Sequence, residues 1–123
     1  MKKFIIALIF ILFLIPVFAS QFDSTTKSNK DKAVLYLYTN GCRVCKDFNP
    51  IYKSISKKYY NKCEFKKFDA ETPEGYALLK QLGINYVPFV VLQDNKAKTI
   101  DAIRIDCLLS NVCFDKAIDN FTR

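Results

Sequence analysis

Histidine is absent from this 123-residue chain. Only one pair of its five cysteines is closely spaced, Cys42 and Cys45 in NGCRVCK, residues 40–46. A structural zinc site takes about four ligands, usually cysteine and histidine. Cys63, Cys107 and Cys113 stand singly, so a second CxxC is missing as well. Both absences argue against zinc, although a dithiol can hold a soft ion such as Cu(I). An internal repeat is also lacking. So is a concentrated basic block, even though the formal net charge is +7. The densest cationic stretch is KKYYNKCEFKK, residues 57–67. Lysines interleaved with aromatics can contact nucleic acid. Lysines at a helix end complement its dipole, however, and those on an outer strand face are simply solvated. Nucleic acid is not expected as a partner.

The first nineteen residues, MKKFIIALIFILFLIPVFA, are set apart from the fold. Lys2 and Lys3 precede an unbroken apolar run from Phe4 to Ile15, closed by Pro16. Val17 and Ala19 sit where small residues permit cleavage, which is the layout of a secretory signal peptide. The run is short of the roughly 20 residues that span a bilayer, so cleavage is expected rather than stable membrane insertion. Residues 20–32 are polar and aperiodic, as a linker is. Residues 33–123 are left as one domain, expected to be periplasmic or secreted. Disulfides persist in such compartments.

Along that domain AVLYLY, residues 33–38, reads as a strand covered on both faces. Phe48, Ile51, Tyr52, Ile55 and Tyr59 recur at three- and four-residue spacing on one helical face. Pro50 falls inside this period and is expected to kink the helix, not end it. CEFKKFDA, residues 63–70, is a second strand. TPEGYALLKQLG has Thr72 as N-cap, Pro73 at the first helical position and Gly83 past the end. FVVL, residues 89–92, is a buried strand. A turn at Asp94-Asn95 leads into its partner, KTIDAIRI, residues 98–105. Phe114, Ala117, Ile118 and Phe121 mark a last helix, with Ser110 as N-cap. The order β-α-β-α-β-β-α predicts an α/β fold with a central mixed sheet flanked by helices.

A CxxC disulfide closes so short a loop that it ties down little chain entropy, which leaves redox exchange as its chemistry. At a helix start the first cysteine meets unpaired N–H groups and the positive end of the dipole, and both favour thiolate. Cys42 is thus the nucleophile. Cys45, one turn deeper, is the resolving thiol. The adjacent Arg43 cation is expected to stabilise the thiolate further and so favour the reduced form; the alternative is an Arg43 that points to solvent and is screened.

CRVCKDFNPIY resembles the thioredoxin motif, with Lys46 after the CxxC and Pro50 further on. GINYVPFVVL resembles the thioredoxin segment in which a helix-ending glycine leads to a cis-proline. The resemblance runs from about residue 33 to 121. It implies a thioredoxin-like three-layer fold with a reduced N-terminal strand and helix. It also implies a cis Val87-Pro88 peptide beside the CxxC, with the Val87 backbone pairing to an extended substrate chain. The implied activity is thiol–disulfide oxidoreduction. Its partners would be cysteine-containing substrate proteins and a redox partner protein, with the enzyme a monomer and no cofactor. A non-enzymatic binding module or a copper-carrying dithiol is the alternative. The chain departs from thioredoxins at Gly41, where they carry tryptophan, and at Arg43-Val44, where they carry Gly-Pro. Tyr36 stands where cytoplasmic thioredoxins bury an aspartate. These departures, with Arg43, point to an exported enzyme more oxidising than thioredoxin.

Cys107 lies in the loop before Ser110 and Cys113 in the first turn after it. A disulfide between them would staple loop to helix, and a second redox role is the alternative. Cys63 reads as a small buried apolar residue, or else as a thiol for an intermolecular bond.

Overall fold

The computed structural model describes residues 30–123 apart from Asn95 and Ala97. The expected signal peptide, most of the linker and any N-terminal strand and helix lie outside the described residues. Four strands, β1 (Ala33–Tyr38), β2 (Glu64–Asp69), β3 (Phe89–Gln93) and β4 (Thr99–Ile103), form one sheet in the order β2-β1-β3-β4. β1 and β2 are parallel, and the other pairs are antiparallel. Four helices accompany them: α1 (Arg43–Tyr59), α2 (Pro73–Leu82), α3 (Ile105–Leu108) and α4 (Asn111–Thr122).

Strand alternation divides the buried residues between two faces. Val34, Tyr36, Val90 and Leu92 join Phe48, Tyr52, Ile55 and Tyr59 of α1 and Phe114 and Ile118 of α4 in one core. Each such side chain, fully buried, stabilises by about 1.5–3 kcal/mol. Aromatic rings set the geometry. Phe48 meets Tyr36 edge-on at 4.8 Å and Phe114 at 5.1 Å between centroids. Leu35, Leu37 and Val91 are buried on the opposite face. α2 packs beside β2, so helices flank the sheet on both sides. α1 runs unbroken through Pro50 because its apolar face stays docked on both sides of that residue.

Helix boundaries follow local chemistry. Thr72 Oγ1 accepts from the Gly75 N–H, and Gly83 takes φ 67°, a conformation that costs glycine nothing. Ser110 Oγ accepts from the Cys113 N–H. The last strand is shorter than the expected 98–105. The chain leaves the ladder after Ile103 and turns into the four-residue α3, which swings Leu108 fully into the core. Burying Leu108 outweighs two further ladder positions at an exposed edge.

Gly75 is the tightest point of α2. A Cβ there would collide with the Asp69 carbonyl. Gly75→Ala is expected to lower stability by about 1–3 kcal/mol through overpacking, read as a reduced urea midpoint at unchanged slope. A neutral substitution would contradict the close α2–β2 contact.

Candidate functional site

The CxxC sits where β1 hands over to α1. Cys42 is the N-cap of α1, and its Sγ accepts from the Cys45 N–H at 3.0 Å. The two cysteines are joined by a disulfide, with 5.2 Å between their Cα atoms. Cys42 is half-buried and Cys45 is buried, so the first sulfur is the one solvent and partners reach. The first turn of α1 holds no acidic residue. Nothing there opposes negative charge on Cys42. Arg43, the next residue, is exposed.

Strand register brings in the second element. Leu37 pairs with Phe89, and Val90 with Ile103. Pro88 immediately precedes β3, at the end of the sheet where β1 leaves and where β4 ends. The Val87-Pro88 peptide is cis, with Pro88 buried and Val87 half-buried. Tyr86 is exposed and meets Phe89 edge-on at 5.4 Å. The β1 exit, the β3 entrance and the β4 exit therefore share one end of the sheet.

Beneath the CxxC lies a polar pair that local sequence patterns miss. The Tyr36 hydroxyl donates to Asn49 Oδ1 at 2.8 Å and lies 3.3 Å from the Cys45 carbonyl oxygen. Tyr36 is wholly buried. Burial, with a smaller contribution from Tyr38, pushes its pKa up to about 12. At neutral pH this phenol donates hydrogen bonds and cannot take a proton from Cys45. The available signals were the one polar tip in a fully buried strand segment and an asparagine one turn beyond Cys45.

The remaining cysteines separate clearly. Cys107 and Cys113 form a second disulfide, also with 5.2 Å between Cα atoms. Cys63 is a free thiol with no exposed surface. Burial pushes it up to about 11, against the pull of Lys30 and Lys32. Among the described residues no group of three acidic, cysteine or histidine side chains is placed to hold a metal ion. Nor is any described helix long and apolar enough to cross a membrane.

A mixed four-stranded sheet with a CxxC at a helix start and an X-cis-Pro beside it defines a thioredoxin-fold domain with a dithiol–disulfide centre. The sequence model of the thioredoxin family matches residues 14–110, and the chain belongs to that family. It is 40% identical over 81 residues to thioredoxin F1, chloroplastic, of Arabidopsis thaliana, covering 64% of this chain and 44% of that protein. It is 29% identical over 80 residues to a thioredoxin of Borreliella burgdorferi, covering 64% of this chain and 67% of the relative. The chain thus spans under half the length of the plant relative. Among solved structures, a thioredoxin from Halobacterium salinarum superposes with TM-score 0.65 at 20% identity, covering 79% of this chain and 80% of that one. The oxidised thioredoxin of Plasmodium falciparum gives 0.62 at 20% identity, with 78% and 86% covered. These structures share the fold.

The raised Tyr36 pKa fixes a sign. A group whose folded pKa exceeds its unfolded value contributes stability below the unfolded pKa and loses it as pH rises through the folded one. Stability of the oxidised chain is expected to fall as pH rises from 10 toward 12, with Tyr36 one source beside the buried Tyr52 hydroxyl and Cys63 thiol, which burial also pushes up. Tyr36→Phe should flatten that fall while lowering stability at neutral pH by about 1 kcal/mol for the lost hydrogen bond. Chemical denaturation across pH checks both. An unchanged alkaline slope in Tyr36→Phe would remove Tyr36 as one of its sources.

Proposed function

We propose that this chain is an exported thiol–disulfide oxidoreductase that exchanges disulfides with cysteine-containing proteins and is recharged by a redox partner protein. The observation that carries this reading is the Cys42–Cys45 pair at the start of α1, with the Cys45 N–H already aimed at Cys42 Sγ. In the reduced state that donor and its neighbours in the first turn stabilise a Cys42 thiolate.

The thiolate attacks one sulfur of a substrate disulfide. The Cys42–substrate bond forms and the substrate's own S–S bond breaks, releasing a thiolate. Cys45, held buried one turn along, then attacks Cys42 Sγ. The Cys42–Cys45 disulfide forms and the second substrate sulfur leaves. Two electrons pass to the substrate. The proton from Cys45 goes to the departing thiolate or to water, since Tyr36 stays protonated. Val87 and Pro88 enter β3 at the end of the sheet where β1 leads into the CxxC, and in this reading the Val87 backbone aligns an extended substrate segment. Export through residues 1–19 places this chemistry in the periplasm or outside the cell, where protein disulfides are the available substrates.

Reduction of insulin by the full-length chain with dithiothreitol as electron source tests the mechanism. Cys42→Ala is expected to fall to the uncatalysed background. Cys45→Ser, reduced and freed of dithiothreitol before insulin is added, is expected to accumulate a Cys42–substrate mixed disulfide, visible as an added mass that dithiothreitol then removes. Full activity in Cys42→Ala would eliminate the mechanism. Stoichiometric copper in the purified, reduced chain, without insulin reduction, would favour a metal-carrying dithiol instead.

A further inference from the structure

We propose that Cys107 and Cys113 form a second thiol–disulfide exchange site, in which Cys113 is the exchanging sulfur and Cys107 the resolving one. The pair is not sealed in the core. Cys113 is exposed and Cys107 half-buried. Both line a cleft of about 690 Å³ along the edge of β4 and α4, whose apolar lining includes Leu92, Ile103, Ala117 and Phe121. That cleft offers a peptide segment carrying a reactive thiol a route to the sulfurs.

The surrounding structure holds the two residues together without help from the bond. Leu108, between them in sequence, is fully buried. Its N–H bonds to the Arg104 carbonyl at 3.1 Å, and the Ser110 N–H bonds to the Cys107 carbonyl at 3.1 Å. Ser110 caps α4 through the Cys113 N–H at 3.2 Å. With a sequence separation of 6, the disulfide also ties down a short loop, so its entropic contribution is small. Opening the bond therefore leaves two thiols still facing each other. Such a pair cycles reversibly and does not unravel the domain.

The two cysteines differ in a way that assigns their roles. Cys113 lies in the first turn of α4, among backbone N–H groups that lack intrahelical partners, and that turn has no acidic residue. Negative charge on its sulfur is stabilised there. Cys107 packs against the core. For reduction, the thiolate of a dithiol reductant attacks the exposed Cys113 Sγ. The Cys107–Cys113 bond breaks and Cys107 departs as a thiolate that takes up a proton. The reductant's second thiol then closes its own disulfide and frees Cys113. Two electrons and two protons enter the chain, and the reductant leaves oxidised. α3 follows directly on the β4 exit, at the end of the sheet where β1 also ends.

The test uses the full-length Cys42→Ser/Cys45→Ser variant, folded by circular dichroism, in a series of reduced and oxidised glutathione mixtures without denaturant. Alkylation and peptide mass spectrometry then read each cysteine. Cys107 and Cys113 are expected to become alkylated together in a reversible two-electron transition while Cys63 stays unmodified. In the further Cys107→Ala variant, a glutathione adduct is expected on Cys113. A pair that stays oxidised even in excess dithiothreitol until denaturant is added would overturn the proposal. So would alkylation only in step with Cys63, which would report unfolding. The same titration of the unsubstituted chain, resolved by peptide, reads the pair without any substitution. Because Cys42 and Cys45 take no part in the variant, its result is separate from the function proposed for them.

Discussion

The Cys45 N–H pointing at Cys42 Sγ is the contact on which the chemistry depends. It makes the first cysteine the cap of the helix that carries the second. One residue thereby ends the β1 loop, satisfies an orphan donor of α1 and presents a sulfur at the positive end of the helix. Such a cap works only if the helix cannot tilt. The aromatic core prevents tilting: Phe48, Tyr52 and Tyr59 seat α1 against β1 and α4, and Tyr36 reaches up to bond Asn49 in the second turn. The hydrophobic face therefore stabilises the fold and also aims the sulfur.

Tyr36 gives this centre its own character. A buried carboxylate below a resolving thiol offers a proton acceptor, whereas a buried phenol with a raised pKa offers a donor. The Tyr36 hydroxyl donates to Asn49 Oδ1 and stays protonated at neutral pH, so it offers Cys45 no proton acceptor. Arg43 on the solvent side adds a cation without an acidic neighbour in the first turn.

Much of this was legible because the governing interactions are local. Thr72, Gly83 and Ser110 mark helix ends through their own hydrogen bonds or backbone preference. The Phe48-to-Tyr59 period marks the docked face, and the Cys42–Cys45 spacing marks a pair one turn apart. What escaped depends on contacts distant in sequence. The β4 end was overestimated because TIDAI is exposed at all but Ile103, so alternation gave no stop signal. α3 is a single turn, too short for a period, and it forms because Leu108 is drawn inward. The Tyr36–Asn49 bond joins residues thirteen apart on different elements, which no window of local pattern reveals.

We propose that the amino end of α1, with Arg43, stabilises Cys42 as a thiolate. The most direct measurement is the ionisation midpoint of Cys42 in the reduced chain, followed by thiolate ultraviolet absorbance and by the pH dependence of its alkylation. The expected midpoint lies well below the roughly 8.5 of a free cysteine and moves upward in Arg43→Ala. A Cys42 midpoint at or above that of free cysteine would contradict it.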